Sequence, residues 1–165
     1  MYTANIYSSS LQTPFGRVLL FADSRGLTGI VLPGTNRKEC SSWYPADCKN
    51  PILEQGARQI REYFAGSRTT FALPLSLAGT PFQMRVWEII KTIPYGRTMS
   101  YGDIARELGH SNKARAVGGA AHANPLPLVI PCHRVLGAKG VLTGFAGGLD
   151  LKKRLLSLEG LQIDA

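Results

Sequence analysis

The chain has 165 residues, 44% of them hydrophobic, which suits one domain or two small ones with a real core. No apolar run approaches the roughly 20 residues of a membrane helix, and the opening Met-Tyr-Thr-Ala-Asn-Ile-Tyr lacks the basic and apolar regions of a signal peptide, so a cytoplasmic protein is expected. Nineteen Lys and Arg against eleven Asp and Glu give a net charge of +8, which favours polyanionic partners such as nucleic acid.

Short strands are expected over residues 3–8, 17–23 and 27–32, with Thr13-Pro14-Phe15-Gly16 and Ser24-Arg25-Gly26 as turns. Residues 33–50 are polar and irregular. They hold Cys40 and Cys48, which with Cys132 make an odd set that argues against a complete disulfide framework; no histidine lies near the pair, so zinc is not expected there. Leu53, Ala57, Ile60 and Phe64 then recur at helical spacing, stopped by Gly66, and residues 70–77 alternate like a strand.

Thr80-Pro81 is a cap followed by proline at the first helical position, opening a helix with Phe82, Val86, Ile89, Ile90 and Ile93 on one face. Its start is the expected domain boundary, giving units 1–78 and 79–165. Ser100 and Asp103 have capping-box spacing at the start of a helix running to Leu108 and Gly109. After a short turn, a second helix covers Lys113 to His122, so the pair reads as a helix-turn-helix. That second helix carries Ala114, Ala116, Gly118, Gly119, Ala120 and Ala121, which cost helix stability and imply a close approach, either by another helix or by DNA. Of its side chains only Lys113, Arg115 and His122 could reach a base edge, so a shallow minor-groove approach with one inserted side chain fits better than major-groove reading.

Residues 128–135, Leu-Val-Ile-Pro-Cys-His-Arg-Val, place Cys132 after a proline-interrupted apolar strand. A nucleophilic cysteine needs a base or positive field to form its thiolate, and His133, Arg134 and Lys139 are near in sequence; a buried structural cysteine is the alternative. Residues 135–143 read as a hairpin about Ala138-Lys139-Gly140, followed by the glycine-rich loop 144–148 and a last helix capped by Asp150. Leu151, Leu155 and Leu158 form the apolar stripe of that helix. Glu159 falls at its C-terminus, where a carboxylate is unfavourable unless solvated or held by a cation, for which His133 is the candidate.

Taken together, Phe82-Gln83, Val86-Trp87, Ile93-Pro94-Tyr95-Gly96, Ser100-Tyr101, Ala114-Arg115-Ala116-Val117-Gly118, Asn124-Pro125, Ile130-Pro131-Cys132-His133-Arg134-Val135 and Gly147-Gly148 resemble the O6-alkylguanine-DNA alkyltransferases over about residues 80–160. The resemblance implies direct repair, in which an O6-alkylated guanine, and also O4-alkylthymine, is flipped out of double-stranded DNA and its alkyl group moves once to Cys132. It further implies Arg115 as the finger filling the vacated stack, with Lys113 beside it on the DNA. Tyr101 would crowd the 3′ phosphate and donate a proton to the leaving guanine, with a helix-end packing aromatic as the lesser alternative. Glu159 would orient and charge His133, which deprotonates Cys132 through a water, while Asn124 fixes the turn before the active-site strand. The backbone of Val135 and Cys132 would accept from the guanine amino group and the amide near Ala146 would donate to O6. No cofactor or metal is implied, and a monomer is expected. The zinc ligands of some members are missing, and alanine stands at 146 where others carry serine.

The expected fold is therefore α+β, a small N-terminal sheet-plus-helix unit followed by a mostly helical, winged-helix-like domain containing the helix-turn-helix. Three other classes fit less well: a lesion-binding relative would lack the reactive cysteine, a plain regulator would leave Pro131-Cys132-His133-Arg134 unexplained, and a cysteine hydrolase would leave the basic, alanine-rich helix unexplained.

Overall fold

The computed structural model describes residues 5–35 and 49–164. Cys40 and Cys48 lie outside them. Contacts divide the chain into two compact units, Met1–Ala78 and Gly79–Ala165.

In the first unit, β1 (Tyr7–Thr13), β2 (Gly16–Ala22) and β3 (Leu27–Val31) form an antiparallel meander in the order β1-β2-β3. The first strand ends later in the chain than expected from the 3–8 alternation, because the tight turn sets the register: Thr13 pairs with Gly16, and the Thr13 hydroxyl donates to the Gly16 carbonyl at 2.7 Å. Helix α1 (Pro51–Phe64) is capped by Asn50, whose side chain accepts from the amides of Ile52 and Leu53. Leu53, Ile60 and Tyr63 on α1 and Val18, Leu20 and Leu27 on the sheet are buried. Gly56 lies against the sheet, an added Cβ meeting Leu27 at 3.6 Å and Leu20 at 3.7 Å, ordinary contact distances.

The expected strand over 70–77 is reduced to one bridge, Leu27 with Leu75, made by Leu27 N donating to Pro74 O and Ser76 N to Leu27 O. Pro74 has no amide hydrogen with which to extend the ladder. What holds this crossing is Asp23: its carboxylate accepts from the Ser76 hydroxyl at 2.6 Å and from the amides of Arg25 and Gly26, and the Ser76 bond leads in holding its pKa down at about 2.

The second unit is built on α2 (Pro81–Lys91), α3 (Tyr101–Glu107), α4 (Ala114–His122) and α5 (Leu149–Leu158), with the two-residue strands β4 (Met99–Ser100) and β5 (Val135–Leu136) paired in parallel. Both capping boxes form: Thr80 with Gln83 opens α2, and Ser100 with Asp103 opens α3. Val117, Ala120 and Ala121 turn one side of α4 into the core, where the Trp87 indole donates to the Ala120 carbonyl at 2.8 Å.

Three local expectations are corrected. Residues 126–130 alternate in burial like a strand, yet they form turns, because Pro125, Pro127 and Pro131 supply no ladder donors and Leu128 takes φ 75°. The chain does reverse at 138–140, but β5 pairs with β4 instead of closing a hairpin ladder; Lys139 (φ 59°) and Gly140 (φ 76°) make a tight turn that Gly137 N closes on Val141 O. Finally, α5 begins at Leu149 after Gly148, whose φ of 90° swings the chain into the helix, so Asp150 lies in the first turn and is not the cap.

Candidate active site

Cys132 opens a single 3-10 turn, Cys132–Arg134. The bend before it is a γ-turn about Pro131, closed by Cys132 N donating to Ile130 O at 2.7 Å. Asn124 fixes the preceding loop from both ends: its amide nitrogen donates to Ile130 O at 2.7 Å, and its oxygen accepts from Leu126 N at 2.9 Å. The sulfur is thus presented by a turn held through the amides of Ile130, Cys132 and Arg134, and no strand carries it.

Half-buried, Cys132 lines a cavity of about 370 Å³ together with Tyr101 from the start of α3, Arg115 and Gly118 from α4, and Phe145 and Ala146 from the glycine-rich loop. The residues of α4 face two ways. Val117, Ala120 and Ala121 pack inward, whereas Gly118 faces the Tyr101 ring, with the position of an added Cβ 3.9 Å from it. Arg115 is exposed at this cavity. Lys113 is exposed as well, its ammonium 5.7 Å from the Phe82 ring centroid, and does not line the cavity. Nor does Val135, whose carbonyl already accepts from Lys152 at 2.6 Å.

Beneath the cysteine lies a buried ionic network. His133 Nε2 donates to Glu159 Oε1 at 2.7 Å; since a carboxylate can only accept, the hydrogen sits on Nε2 and Nδ1 is the basic nitrogen of the neutral ring. The helix-end carboxylate is therefore held, but by more than His133. Arg134 donates from Nε to Oε2 and from Nη2 to Oε1, both at 2.9 Å, and the Gly96 amide donates to Oε2 at 3.1 Å. A third arm, Nη1 of Arg134, reaches the Ile93 carbonyl at 2.6 Å. Burial raises the Glu159 pKa, but its hydrogen bonds to His133 and Arg134 outweigh that and hold it at about 2. Burial pushes the His133 imidazole down, while the hydrogen bond and charge of Glu159 push the other way.

Burial likewise pushes the Cys132 thiol up, opposed by the Asn124 side chain and the charge of Lys152. Lys152 was not expected. It is fully buried, donates to Val135 O at 2.6 Å and Thr143 O at 2.8 Å, and lies 6.0 Å from the Tyr101 ring centroid; burial lowers its pKa to about 8. Its sequence signal is spacing: Lys152 stands three and four residues before Leu155 and Leu156 and seven before Glu159, on the core face of α5. Lys139, expected near the sulfur, is exposed. Desolvation raises the Tyr101 pKa, with the Thr143 side chain opposing, so the phenol keeps its proton. Among the described residues no cluster of three or more His, Cys, Asp or Glu is suited to a metal, and no helix is long and apolar enough to cross a membrane.

Residues 81–161 match the family described as 6-O-methylguanine DNA methyltransferase, DNA binding domain, and residues 6–77 match its ribonuclease-like domain. A methylated-DNA–protein-cysteine methyltransferase of Methanosarcina acetivorans is 41% identical over 157 residues, covering 94% of this chain and 99% of that protein. The constitutive enzyme of that name from Bacillus subtilis is 39% identical over 159 residues, covering 93% and 94%. Among solved structures, Mycobacterium tuberculosis OGT in complex with DNA superposes with a TM-score of 0.84 at 39% identity, over 93% of this chain and 92% of that one. A cysteine on a cavity beside a helix-turn-helix, in a chain matched along nearly its whole length, leads to one assignment: it belongs to the 6-O-methylguanine DNA methyltransferase family.

Proposed function

We propose that the protein repairs double-stranded DNA directly, by moving the alkyl group of an O6-alkylguanine onto Cys132 in a single turnover. The observation that carries this reading is the placement of Cys132 and Tyr101 on the wall of one cavity that α4 also lines through Arg115. A base inside a duplex cannot present its O6 substituent to a sulfur, so it must rotate out, at a cost of a few kcal/mol that a poorly paired lesion reduces. Arg115 supports that step as the side chain entering the gap, with Lys113 on the phosphates.

In the transfer, the sulfur attacks the alkyl carbon, the S–C bond forms and the C–O6 bond breaks with its electron pair passing to the guanine. His133, oriented through Nε2 by Glu159, takes the thiol proton at Nδ1 through a water. Tyr101 gives a proton to the departing base, so protons balance without an external acid. Because burial holds Cys132 as a thiol, a base acting at the moment of attack is what the site needs. Ala146 supports the base through its loop amide and Asn124 by fixing the turn. The Val135 carbonyl, engaged by Lys152 and away from the cavity, leaves the guanine amino group to the Cys132 carbonyl. The thioether product offers no bond that water readily cleaves, which makes the protein its own stoichiometric reagent, and the alkyl donor is the lesion itself.

Intact-protein mass after incubation with duplex DNA containing O6-methylguanine tests the reading. The expected result is one added methyl, mapped by peptide analysis to Cys132 and absent in Cys132→Ala, whose DNA affinity stays nearly unchanged because phosphate contacts dominate binding. A methyl group found on Cys40 or Cys48 would overturn it.

A further inference from the structure

We propose that Arg134 is a positioning residue for the general base: by gripping both oxygens of Glu159 it balances the carboxylate charge, so that His133 is oriented as a neutral imidazole able to accept the thiol proton. The inference rests on the reading of Cys132 and His133 as nucleophile and base, and adds a role for a residue which that reading leaves unused.

The argument is geometric. A carboxylate facing an imidazole alone favours the protonated ring, and an imidazole that already carries the proton cannot remove one from sulfur. Here Oε1 is shared between His133 Nε2 and Arg134 Nη2, while Oε2 takes Arg134 Nε and the Gly96 amide. The guanidinium thus meets the carboxylate in the two-pronged geometry that Lys cannot reproduce. Its own placement is fixed by the Ile93 carbonyl and by the Tyr95 ring, whose centroid is 5.7 Å away. His133 and Glu159 are both buried, so water screens neither charge.

Every packed element contributes to the balance around His133. Helix α5 brings Glu159 and Lys152; the histidine's own turn brings Arg134 and the neutral thiol of Cys132; the segment between α2 and β4 brings the Tyr95 phenol, whose hydroxyl donates to Leu158 O at 3.1 Å. Tyr101, beyond Lys152, keeps its proton. Burial, Arg134 and Lys152 act against the imidazolium and Glu159 acts for it, with burial the largest influence.

The test is a set of NMR titrations of the His133 ring in the full-length protein without DNA, in the parent, Arg134→Gln, Arg134→Lys, Glu159→Gln and the Arg134→Gln/Glu159→Gln pair. Arg134→Gln should raise the His133 pKa by about one unit or more, the scale of an opposite charge left unbalanced at this range. Arg134→Lys should restore part of the shift, and Glu159→Gln should lower the pKa. The acid limb of the alkyl-transfer rate should move with each value. If Arg134→Gln alone does not fold, the pair carries the test, since the His133 pKa must be higher in the pair than in Glu159→Gln. Equal values in those two proteins, or an unshifted His133 in folded Arg134→Gln, overturn the inference. Because the titration needs neither DNA nor transfer, it is decided separately from the repair activity.

Discussion

Glu159→Gln should remove a specific acid-dependent part of the stability of the C-terminal unit. In the parent, the folded carboxyl titrates at about 2 against an ordinary value of 4.5, because the hydrogen bonds from His133 and Arg134 overcome the cost of its burial. A depressed folded pKa stabilises above the unfolded value and is lost as pH falls towards the folded one. At 1.36 kcal/mol per unit the difference amounts to roughly 3.4 kcal/mol at neutral pH, of which about 2 kcal/mol should be gone by pH 3. The glutamine variant keeps the shape but leaves the buried guanidinium of Arg134 without its counter-charge, so at pH 6 it should be less stable by about 3 kcal/mol. Urea titrations at pH 6 and pH 3, in a Trp43→Phe background so that emission reports the buried Trp87, give both numbers. The parent's advantage should shrink from about 3 to about 1 kcal/mol over that interval. An advantage that stays constant between the two pH values would refute the reasoning, since it would mean that Glu159 titrates alike in the folded and unfolded chains.

Lys152 should show linkage of the same sign in the alkaline range: its charge is penalised by burial and its folded pKa is about 8 against 10.5, so stability should rise as pH climbs from 8 towards 10.5, with the parent gaining about 2 kcal/mol on Lys152→Met by pH 9.5 in urea titrations. Arg115→Ala should slow repair of duplex DNA by far more than it slows reaction with a free O6-alkylguanine base, because only the duplex needs flipping; equal losses in the two rate measurements would assign Arg115 elsewhere. Gly26→Ala should destabilise the N-terminal unit by about 2 kcal/mol in thermal unfolding, since the new Cβ would fall 2.6 Å from the backbone carbon and oxygen of Pro74, which cannot yield as a side chain could.

The features legible in the sequence were those that chain neighbours settle among themselves. Thr80 and Gln83, or Ser100 and Asp103, satisfy each other within one helical turn, so their capping boxes follow from residue type and spacing. The stripe of Leu151 and Leu155, the glycine stops and the ordered motifs around Cys132 likewise carried the α+β class, the helix-turn-helix and the family. Where competition between distant partners decides the outcome, the same reading failed. The proline-interrupted apolar run before Cys132 signals buried side chains, but whether those residues form a strand depends on an available ladder, and the prolines deny it. Val135–Leu136 could fold back on its own downstream residues or pair with Met99–Ser100, and only the packed unit selects the latter. The network under the sulfur is the clearest case: Arg134 reaches Glu159 across 25 residues and Lys152 reaches Val135 across 17. Charge on the face of a helix reads as solvated until the fold buries it, and a buried charge then takes whichever partners the backbone brings within hydrogen-bond range. The sequence by itself determined that a cysteine, a histidine and a carboxylate would be present; tertiary structure decided that the carboxylate is shared with an arginine and that the charge of a buried lysine acts on the sulfur, because desolvation makes those pairings compulsory only once the core has closed around them.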